Sequence, residues 1–251
     1  MTRLYPFYSS SKGNCTLLVH NGRGLLIDCG VPFKQIKDAL SQADCSFDQI
    51  EGILLTHEHS DHIKGLSLLQ KNTALPVYST GGTLNAADAQ GTDHQYLPFD
   101  VGVFHIIPIR TSHDAADPCG YRIESGGKAI AIVTDTGRIT PEMLQHLSGC
   151  SLIMLESNYD PEMLENGPYT AALKRRVKSD KGHLSNSECA SLLALLAMEG
   201  ALKTAVLAHI SPNNNTPLTA KMATLTAFSQ YGIEDIRLEA GGPFCPPLEV
   251  E

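Results

Sequence analysis

The sequence predicts an α/β protein in which helices cover β-sheets, organised as one domain over residues 1–251. Three observations support this prediction. Short apolar runs typical of strands alternate with longer stretches that carry helix-start signals. The 251 residues are 42% hydrophobic, which is enough to bury a large core. No linker, low-complexity segment or internal repeat divides the sequence.

The predicted strands are apolar runs, most of which end at a polar or charged residue. They cover residues 16–20, 24–28, 52–56, 103–109, 128–134, 152–155 and 204–208. In sheets covered by helices, strand ends and loops are the positions from which reactive side chains project. We therefore expect the functional residues to follow these runs.

The predicted helices cover residues 32–42, 63–71, 141–146, 186–199 and 217–230. Thr140 and Thr216 each place a capping hydroxyl before a proline at the first helical position, where the missing N–H is harmless. Ser185 and Glu188 fit a capping box ahead of the apolar run from residue 190. These signals predict where three of the helices begin.

The charge balance limits the kinds of partner. With 19 Lys and Arg against 27 Asp and Glu, the net charge is −8. This argues against a protein that coats nucleic acid through bulk positive potential, because such affinity comes from Lys and Arg that neutralise phosphates. A nuclease with only local attraction for its substrate stays compatible with the sequence.

Seven cysteines are scattered and form no C-x-x-C pair, so neither a disulfide framework nor a thiolate zinc site is indicated. The first residues lack the apolar stretch of a signal peptide, and the longest apolar run, residues 192–198, is too short to span a bilayer. We therefore expect a cytoplasmic protein without a membrane partner. The sequence makes no prediction about the oligomeric state.

The strongest functional signal is residues 56–62, Thr-His-Glu-His-Ser-Asp-His, which follow an apolar run and precede a predicted helix. In extended chain His57 and His59 point the same way, while Asp61 and His62 lie where the chain turns into the helix. One short segment can therefore serve two neighbouring metal ions. Imidazoles and a carboxylate suit zinc, manganese or iron and leave coordination positions open for water.

Two other interpretations of this segment fit less well. A histidine-rich surface turn would not place three His and one Asp within six residues directly after a buried-strand pattern. The H-E-x-x-H protease motif is excluded, because the segment lacks the two histidines at i and i+4 on a helix that this motif requires.

The pattern H-x-H-x-D-H after a hydrophobic strand resembles the signature of the metallo-β-lactamase superfamily, which implies an αββα sandwich. Other positions resemble further elements of the superfamily, in order along nearly the whole chain. Asp28 resembles the early Asp that supports the metal loop without binding metal. His113 and His209 resemble further metal ligands, and Asp135 resembles the carboxylate shared by both metals.

The superfamily hosts many activities, so the fold alone does not assign one. Asp135 stands where many true β-lactamases carry a cysteine, and His62 completes a second metal site that they bind differently. Antibiotic hydrolysis is therefore disfavoured. Two classes stay in contention: thioester or ester hydrolases similar to glyoxalase II, and phosphodiesterases similar to ribonuclease Z and ribonuclease J.

Residues 181–186, Lys-Gly-His-Leu-Ser-Asn, favour the phosphodiesterases. They resemble the nuclease branch, in which an additional His just upstream of the last ligand contacts the scissile phosphate, and this implies a phosphate contact for His183 and the adjacent Ser185. A helix that begins at Asn186 would direct free N–H groups at an anion beside His183. A histidine that only donates a hydrogen bond within the loop is the alternative.

A basic run, residues 173–181, precedes His183 and contains five Lys or Arg in an otherwise acidic protein. Such a run is equally compatible with a solvated helix face. Its position next to His183 makes Lys174, Arg175 and Arg176 candidates for contact with the phosphate backbone.

The chain also resembles the YycJ (WalJ) family of small metallo-β-lactamase-fold proteins over almost its full length. The resemblance rests on residues 9–15 (Ser-Ser-Ser-Lys-Gly-Asn-Cys), 156–160 (Glu-Ser-Asn-Tyr-Asp), the Leu-Lys-Arg-Arg run from residue 173, and residues 182–186. It implies 5′-to-3′ exonuclease activity on DNA. Ser10 and Lys12 stand where relatives often have a glycine and a small residue, and Tyr159 where some have His, so no role is assigned to these side chains.

The resemblance implies a centre of two divalent metal ions, zinc, manganese or iron. The implied ligands are His57, His59 and His113 for one ion and Asp61, His62 and His209 for the other, with Asp135 as the bridge. A hydroxide between the ions would attack the phosphorus of a phosphodiester. Asp61 would help to orient it, and His183 would stabilise the phosphoryl oxygens or protonate the leaving group.

Two rival functions stay open. A carbon-centred hydrolase would use the same metals on a thioester or lactone, and a non-catalytic signalling partner would retain the fold. The sequence does not decide between DNA and RNA, nor does it predict the polarity of cleavage or the identity of the metal.

Overall fold

The structure is a computed structural model that describes residues 1–250. Its strands are β1 (Thr2–Ser10), β2 (Gly13–His20), β3 (Arg23–Ile27), β4 (Ile50–Leu54), β5 (Val77–Ser79), β6 (Thr92–Asp93), β7 (Phe99–Val101), β8 (Phe104–Arg110), β9 (Cys119–Ser125), β10 (Lys128–Val133), β11 (Leu152–Glu156), β12 (Thr204–Ala208), β13 (Arg237–Ala240) and β14 (Leu248–Glu249). Its α-helices are α1 (Phe33–Gln42), α2 (Ser60–Ile63), α3 (Leu66–Asn72), α4 (Gly81–Ala86), α5 (Pro141–Leu147), α6 (Pro161–Asn166), α7 (Ala171–Val177), α8 (Asn186–Met198) and α9 (Pro217–Gln230).

The strands form two mixed sheets of seven strands each, in the orders β14-β1-β2-β3-β4-β5-β6 and β13-β12-β11-β10-β9-β8-β7. In the first sheet β3 to β6 are parallel, and in the second β10 to β13 are parallel. The other neighbouring strands are antiparallel. Open α/β sheets bind ligands at the carboxyl ends of their parallel strands, so each sheet has one edge suited to a site.

Alternation of side chains along the central strands produces four layers. Leu25 of β3 and Ile132 of β10 belong to a core between the two sheets. The next residues, Leu26 and Val133, point the opposite way, into cores under helices α1 and α3 and under α5, α8 and α9. Both faces of these strands are therefore buried, which explains their uninterrupted apolar runs. The predicted αββα sandwich is confirmed.

The predicted elements are largely confirmed. All seven predicted strands are present, as β2, β3, β4, β8, β10, β11 and β12. Thr140 and Thr216 cap α5 and α9 by accepting hydrogen bonds from the backbone N–H three residues further on, and Ser185 with Glu188 forms the predicted capping box at α8. Within residues 1–250, none of the helices combines the length and the apolarity needed to cross a bilayer.

One predicted helix is wrong, because the structure has two short helices in its place. Residues 63–71 were expected to form a single helix, but the chain divides between α2 and α3 at Gly65. The Gly65 N–H donates to the Cys29 carbonyl at 2.7 Å and not to a carbonyl of α2. A Cβ atom on Gly65 would lie 2.5 Å from the Val31 carbonyl oxygen, so the break depends on close approach of another segment, which helical periodicity does not predict.

Replacing Thr140 by Ala should lower the free energy of unfolding by about 1 kcal/mol, because the N–H of Met143 at the start of α5 would lose its acceptor. Urea unfolding followed by circular dichroism measures this change. Thr140→Ser is the matched control, since it keeps the capping hydroxyl and should keep most of the stability. An equal loss in both variants would attribute the effect to packing of the threonine methyl group.

Candidate metal centre

Polar side chains from both sheets converge where the parallel strands end. Asp28 follows β3, His57 lies three residues after β4, Asp135 lies two residues after β10, Glu156 ends β11 and His209 follows β12. All five side chains are buried. The two edges expected to carry reactive groups therefore meet in a single cluster.

The candidate metal ligands fall into overlapping groups whose ligand atoms lie within 4.8 Å of one another. The groups are His57 with His59 and His113; Asp61 with His62 and His209; His57 with His62 and Asp135; and Asp135 with Glu156, His183 and His209. All seven residues predicted as ligands are thus brought together, in the expected two sets with Asp135 adjoining both. Their roles as ligands stay a prediction.

The first set presents ring nitrogens to one another. Nδ1 of His113 donates to the Gly182 carbonyl at 3.0 Å, which leaves the lone pair on Nε2. This Nε2 atom lies 3.3 Å from Nδ1 of His59. Nδ1 of His57 contacts the Thr56 hydroxyl at 3.0 Å. The Gly182 carbonyl and the Thr56 hydroxyl therefore orient the rings of His113 and His57, as metal ligands require.

The second set is organised around His62. Its Nδ1 atom donates to Oδ2 of Asp28 at 2.7 Å, so Nε2 is the ring nitrogen that faces the cluster. Nε2 lies 3.2 Å from Oδ2 of Asp135 and 3.5 Å from Oδ2 of Asp61. The same Asp61 oxygen lies 3.4 Å from Nε2 of His209.

Asp28 lies behind the ligands and belongs to none of the four groups. Besides His62, its carboxylate accepts the Thr56 backbone N–H at 2.8 Å and the Thr56 hydroxyl at 2.9 Å. Thr56 lies directly before the ligand turn, residues 57–62, and His62 lies within it. This placement agrees with the expected supporting role.

The turn that carries Asp61 is held by the hairpin between β1 and β2. Nδ2 of Asn14 donates to the Ser10 carbonyl at 3.1 Å and to the Asp61 carbonyl at 3.3 Å. A Cβ atom on Gly30 would lie 1.6 Å from the same Asp61 carbonyl, so only glycine permits this approach. Sequence reasoning missed both residues as parts of the site.

Glu156 was also missed as a site residue. Its Oε1 atom accepts from Nδ1 of His183 at 2.7 Å and from Nδ1 of His209 at 2.8 Å. Its Oε2 atom accepts the backbone N–H groups of Thr136 and Leu184. One buried carboxylate therefore orients two histidines of the cluster. A glutamate that ends the otherwise apolar strand Leu-Ile-Met-Leu-Glu is the signal that could have identified it.

His183 lies at the margin of the cluster, with 13% of its side chain exposed and Nδ1 at 3.7 Å from Oδ1 of Asp135. Ser185 is buried, and its hydroxyl lies in the capping box with Glu188 at 2.6 Å. The phosphate contacts expected of His183 and Ser185 stay predictions.

The basic run forms helix α7 and the turn after it, and part of its charge is paired within the chain. Lys174 donates to the Glu165 carbonyl, and Arg176 pairs with Asp114 at 2.6 Å. Oδ1 of Asp114 lies 3.4 Å from Nε2 of His113, so Arg176 also steadies the loop of that candidate ligand. Arg175 is exposed. Contact of these residues with nucleic acid stays a prediction.

The structure places two segments that the sequence left without a role. In the Ser9–Asn14 loop, the Ser9 hydroxyl accepts the backbone N–H of His209 at 2.8 Å. Tyr159 is buried in a small core with Leu164 and Val177. Ser9 therefore supports the candidate ligand His209 by contact, and Tyr159 contributes to packing beside α6 and α7.

Burial and the charges of neighbouring side chains shift the pKa values of several groups in the cluster. Burial lowers the pKa of His57 well below its usual value, and the neighbouring His62 lowers it further. Burial alone would also lower the pKa of His209, but the charge of Asp135 and hydrogen bonds to Asp61 and Glu156 raise it to about 10. Burial raises the pKa of Asp135, yet the charges of His209 and His62 outweigh burial and hold it well below its usual value.

Two atoms show that these residues fit a divalent cation. Nε2 of His57 and Oδ2 of Asp135 are fully buried and have no hydrogen-bond partner within residues 1–250. Buried polar atoms without partners are costly, and a cation coordinated by both would remove that cost. Imidazole and carboxylate donors are the set that zinc and manganese accept.

Comparisons with known proteins agree with this geometry. Residues 23–210 match the model of a family described as a beta-lactamase superfamily domain. The chain is 36% identical over 234 residues to exodeoxyribonuclease YycJ of Bacillus anthracis, covering 89% of this chain and 88% of that protein. It is 31% identical over 233 residues to exodeoxyribonuclease WalJ of Streptococcus pneumoniae, covering 88% and 86%.

Among solved structures, the metallo-beta-lactamase fold protein YhfI from Bacillus subtilis superposes with a TM-score of 0.75. The two chains are 17% identical, and the match covers 99% of this chain and 100% of the other. At this identity the likeness concerns the fold alone.

Replacing Glu156 by Gln should weaken the binding of a divalent cation about 10- to 100-fold, the range expected when a group that orients metal ligands is lost. Isothermal titration calorimetry with Zn²⁺ and Mn²⁺ measures the effect. Glu162→Gln, at an exposed glutamate of α6, is the control and should bind as the wild type does. Wild-type affinity in Glu156→Gln would mean that the carboxylate charge is not needed to orient His209.

Proposed function

Because the chain belongs to the beta-lactamase superfamily, and within it to the family of the exodeoxyribonucleases YycJ and WalJ, we propose that it is a metal-dependent nuclease that hydrolyses phosphodiester bonds of DNA. The observation that carries this proposal is the position of His183. It lies beside the seven predicted ligands, and its Nδ1 donates to Glu156, which holds the ring in place. A positioned histidine next to a metal centre suits attack on a phosphodiester, in which charge develops on the phosphoryl and leaving oxygens.

The cluster would hold two ions, zinc or manganese. His57, His59 and His113 would hold one, Asp61, His62 and His209 the other, and Asp135 would contact both. When bound, such ions act as Lewis acids towards a phosphoryl oxygen and lower the pKa of a water molecule to near neutrality.

The carboxylates Asp28 and Asp61 have different roles in this proposal. Asp28 holds the ring of His62 through Nδ1 and thereby directs Nε2 into the cluster. Asp61 is the most exposed carboxylate of the cluster, with 21% of its side chain accessible against 3% for Asp135 and 0% for Glu156. It is therefore the carboxylate that an attacking water molecule can reach, and it orients that water.

His183 would act on the substrate and not on the ions. Its Nδ1 donates to Glu156, and Nε2 has no hydrogen-bond partner within residues 1–250. In the protonated form Nε2 is a donor that stabilises a phosphoryl oxygen or transfers its proton to the leaving oxygen.

Contact of the substrate strand with the basic run and with Ser185 also belongs to the proposal. Arg175 supports it best, because it is exposed and forms no ion pair within residues 1–250. Lys174 and Arg176 would have to exchange their partners in the chain for phosphate oxygens.

Protein loaded with Zn²⁺ or Mn²⁺ should release nucleotides from end-labelled DNA, and Asp135→Asn should abolish this release with an unchanged circular dichroism spectrum. Single- and double-stranded DNA, the matching RNAs and S-acylglutathione are offered in parallel. Cleavage of S-acylglutathione without cleavage of DNA or RNA would contradict the proposal and select the carbon-centred hydrolase. Inactivity on all substrates despite full metal loading would favour a non-catalytic signalling role.

His183→Ala should keep two metal ions per chain but reduce the rate on DNA by roughly two to four orders of magnitude, the range for loss of a positioned acid or oxyanion donor. Elemental analysis and single-turnover kinetics separate the two effects. Asp135→Asn is the contrasting variant, because it should lose metal as well as rate. Loss of metal from His183→Ala would make His183 a ligand and remove the observation on which the proposal depends.

A further inference from the structure

A cavity of about 260 Å³ lies next to the candidate metal centre. Its polar lining comes from the hairpin between β1 and β2, from the start of α1 and from the turn after α2. The polar residues are Tyr8, Ser10, Lys12, Gln35 and Lys64. None of them belongs to the ligand groups.

The cavity and the centre share a wall. The Ser10 carbonyl, at the cavity, accepts the Asn14 amide that also bonds the Asp61 carbonyl. Lys64 follows the ligand His62 by two residues, at the end of α2. A nucleic-acid strand that leaves the ligand cluster on the side of Asp61 would therefore pass this cavity.

The charge of the cavity is positive and unpaired. Lys12 and Lys64 are both exposed, and neither forms an ion pair within residues 1–250. In the basic run, two of the five cations are already engaged, because Arg176 pairs with Asp114 and Lys178 with Glu165. In a protein of net charge −8, two free ammonium groups at one cavity beside the centre create a local attraction for anions.

The lining also selects the kind of anion. Two ammonium groups, the hydroxyls of Ser10 and Tyr8 and the amide of Gln35 supply several donors, and no carboxylate lines the cavity. A tetrahedral oxyanion with several acceptor oxygens suits this arrangement better than a cation or an apolar group. The ring of Tyr8 offers an aromatic surface of the kind on which nucleobases stack.

We propose that this Lys12–Lys64 cavity binds a phosphate group of the strand whose neighbouring phosphodiester lies at the metal centre. The inference rests on the proposed function and adds to it a second candidate phosphate contact, formed by residues outside the basic run. The phosphate is either the terminal phosphate of the strand or an internal one, and substrates with different ends distinguish the two.

The binding test uses the double variant Lys12→Gln/Lys64→Gln and metal-loaded protein with a phosphorothioate single-stranded oligonucleotide that resists cleavage. The slope of log K against log salt concentration should become shallower by about 0.7 for each lost phosphate contact. Lys71→Gln/Lys128→Gln is the matched control, because it removes the same charge from exposed lysines that do not line the cavity. Equal slopes in the two double variants would overturn the inference.

The kinetic test compares oligonucleotides with a 5′-phosphate and with a 5′-hydroxyl. The Lys12→Gln/Lys64→Gln variant should show a KM raised roughly tenfold, as expected for loss of charge-assisted hydrogen bonds, with metal content equal to that of the wild type. A rise confined to the 5′-phosphorylated substrate assigns the cavity to a terminal phosphate, and an equal rise on both assigns it to an internal phosphate. A change in kcat or metal content without a change in KM would overturn the inference.

The two proposals fail separately in these experiments. If the wild type cleaves DNA but the double variant matches its control in salt slope and KM, the cavity inference is wrong and the proposed function stands. If the wild type cleaves neither DNA nor RNA, the proposed function fails, and the salt slopes still decide whether the cavity binds phosphate.

Discussion

The carboxylate of Asp28 is the contact on which the geometry of the centre depends. It accepts hydrogen bonds from Thr56 and from Nδ1 of His62, and so joins the end of β3 to the turn after β4. Without a charged acceptor there, the buried ring of His62 could rotate, and its Nε2 atom would no longer face Asp61 and Asp135. Burial makes this dependence strong, because neither group can exchange its partner for water.

The strand ends carry a second constraint. Asp28, Asp135 and His209 have φ angles of 58°, 52° and 50°, a left-handed conformation that non-glycine residues seldom adopt and that costs on the order of 1–3 kcal/mol. Each residue follows a buried parallel strand. This conformation ends the strand geometry at each of the three positions and lets the side chain turn towards the ligand turn or the candidate ligands. Hydrogen bonds such as that from the His209 N–H to Ser9 hold this conformation.

The sequence predicts most of the central strands and the ligand turn because their signals are local: apolar runs buried on both faces, caps, and four donors within residues 57–62. It did not predict β9, whose Gly120, Arg122 and Glu124 interrupt the apolar pattern, or β1, which contains a proline and a register shift between Tyr5 and Tyr8. Glu156 and Asn14 act through partners 27 to 53 residues away, and such contacts leave no local pattern in the sequence.

The topology also determines when the centre can exist as the chain is synthesised. His57 and His59 emerge early, but His209, together with its acceptor Glu156, comes from β11 and β12 of the second sheet. A ribosome that has made only strands β1 to β6 has exposed a turn of three histidines and an aspartate without their partners from the second sheet. Assembly of the whole candidate cluster therefore has to follow synthesis of β12, so an ion bound there would stabilise the late stages of folding and not the first half of the chain.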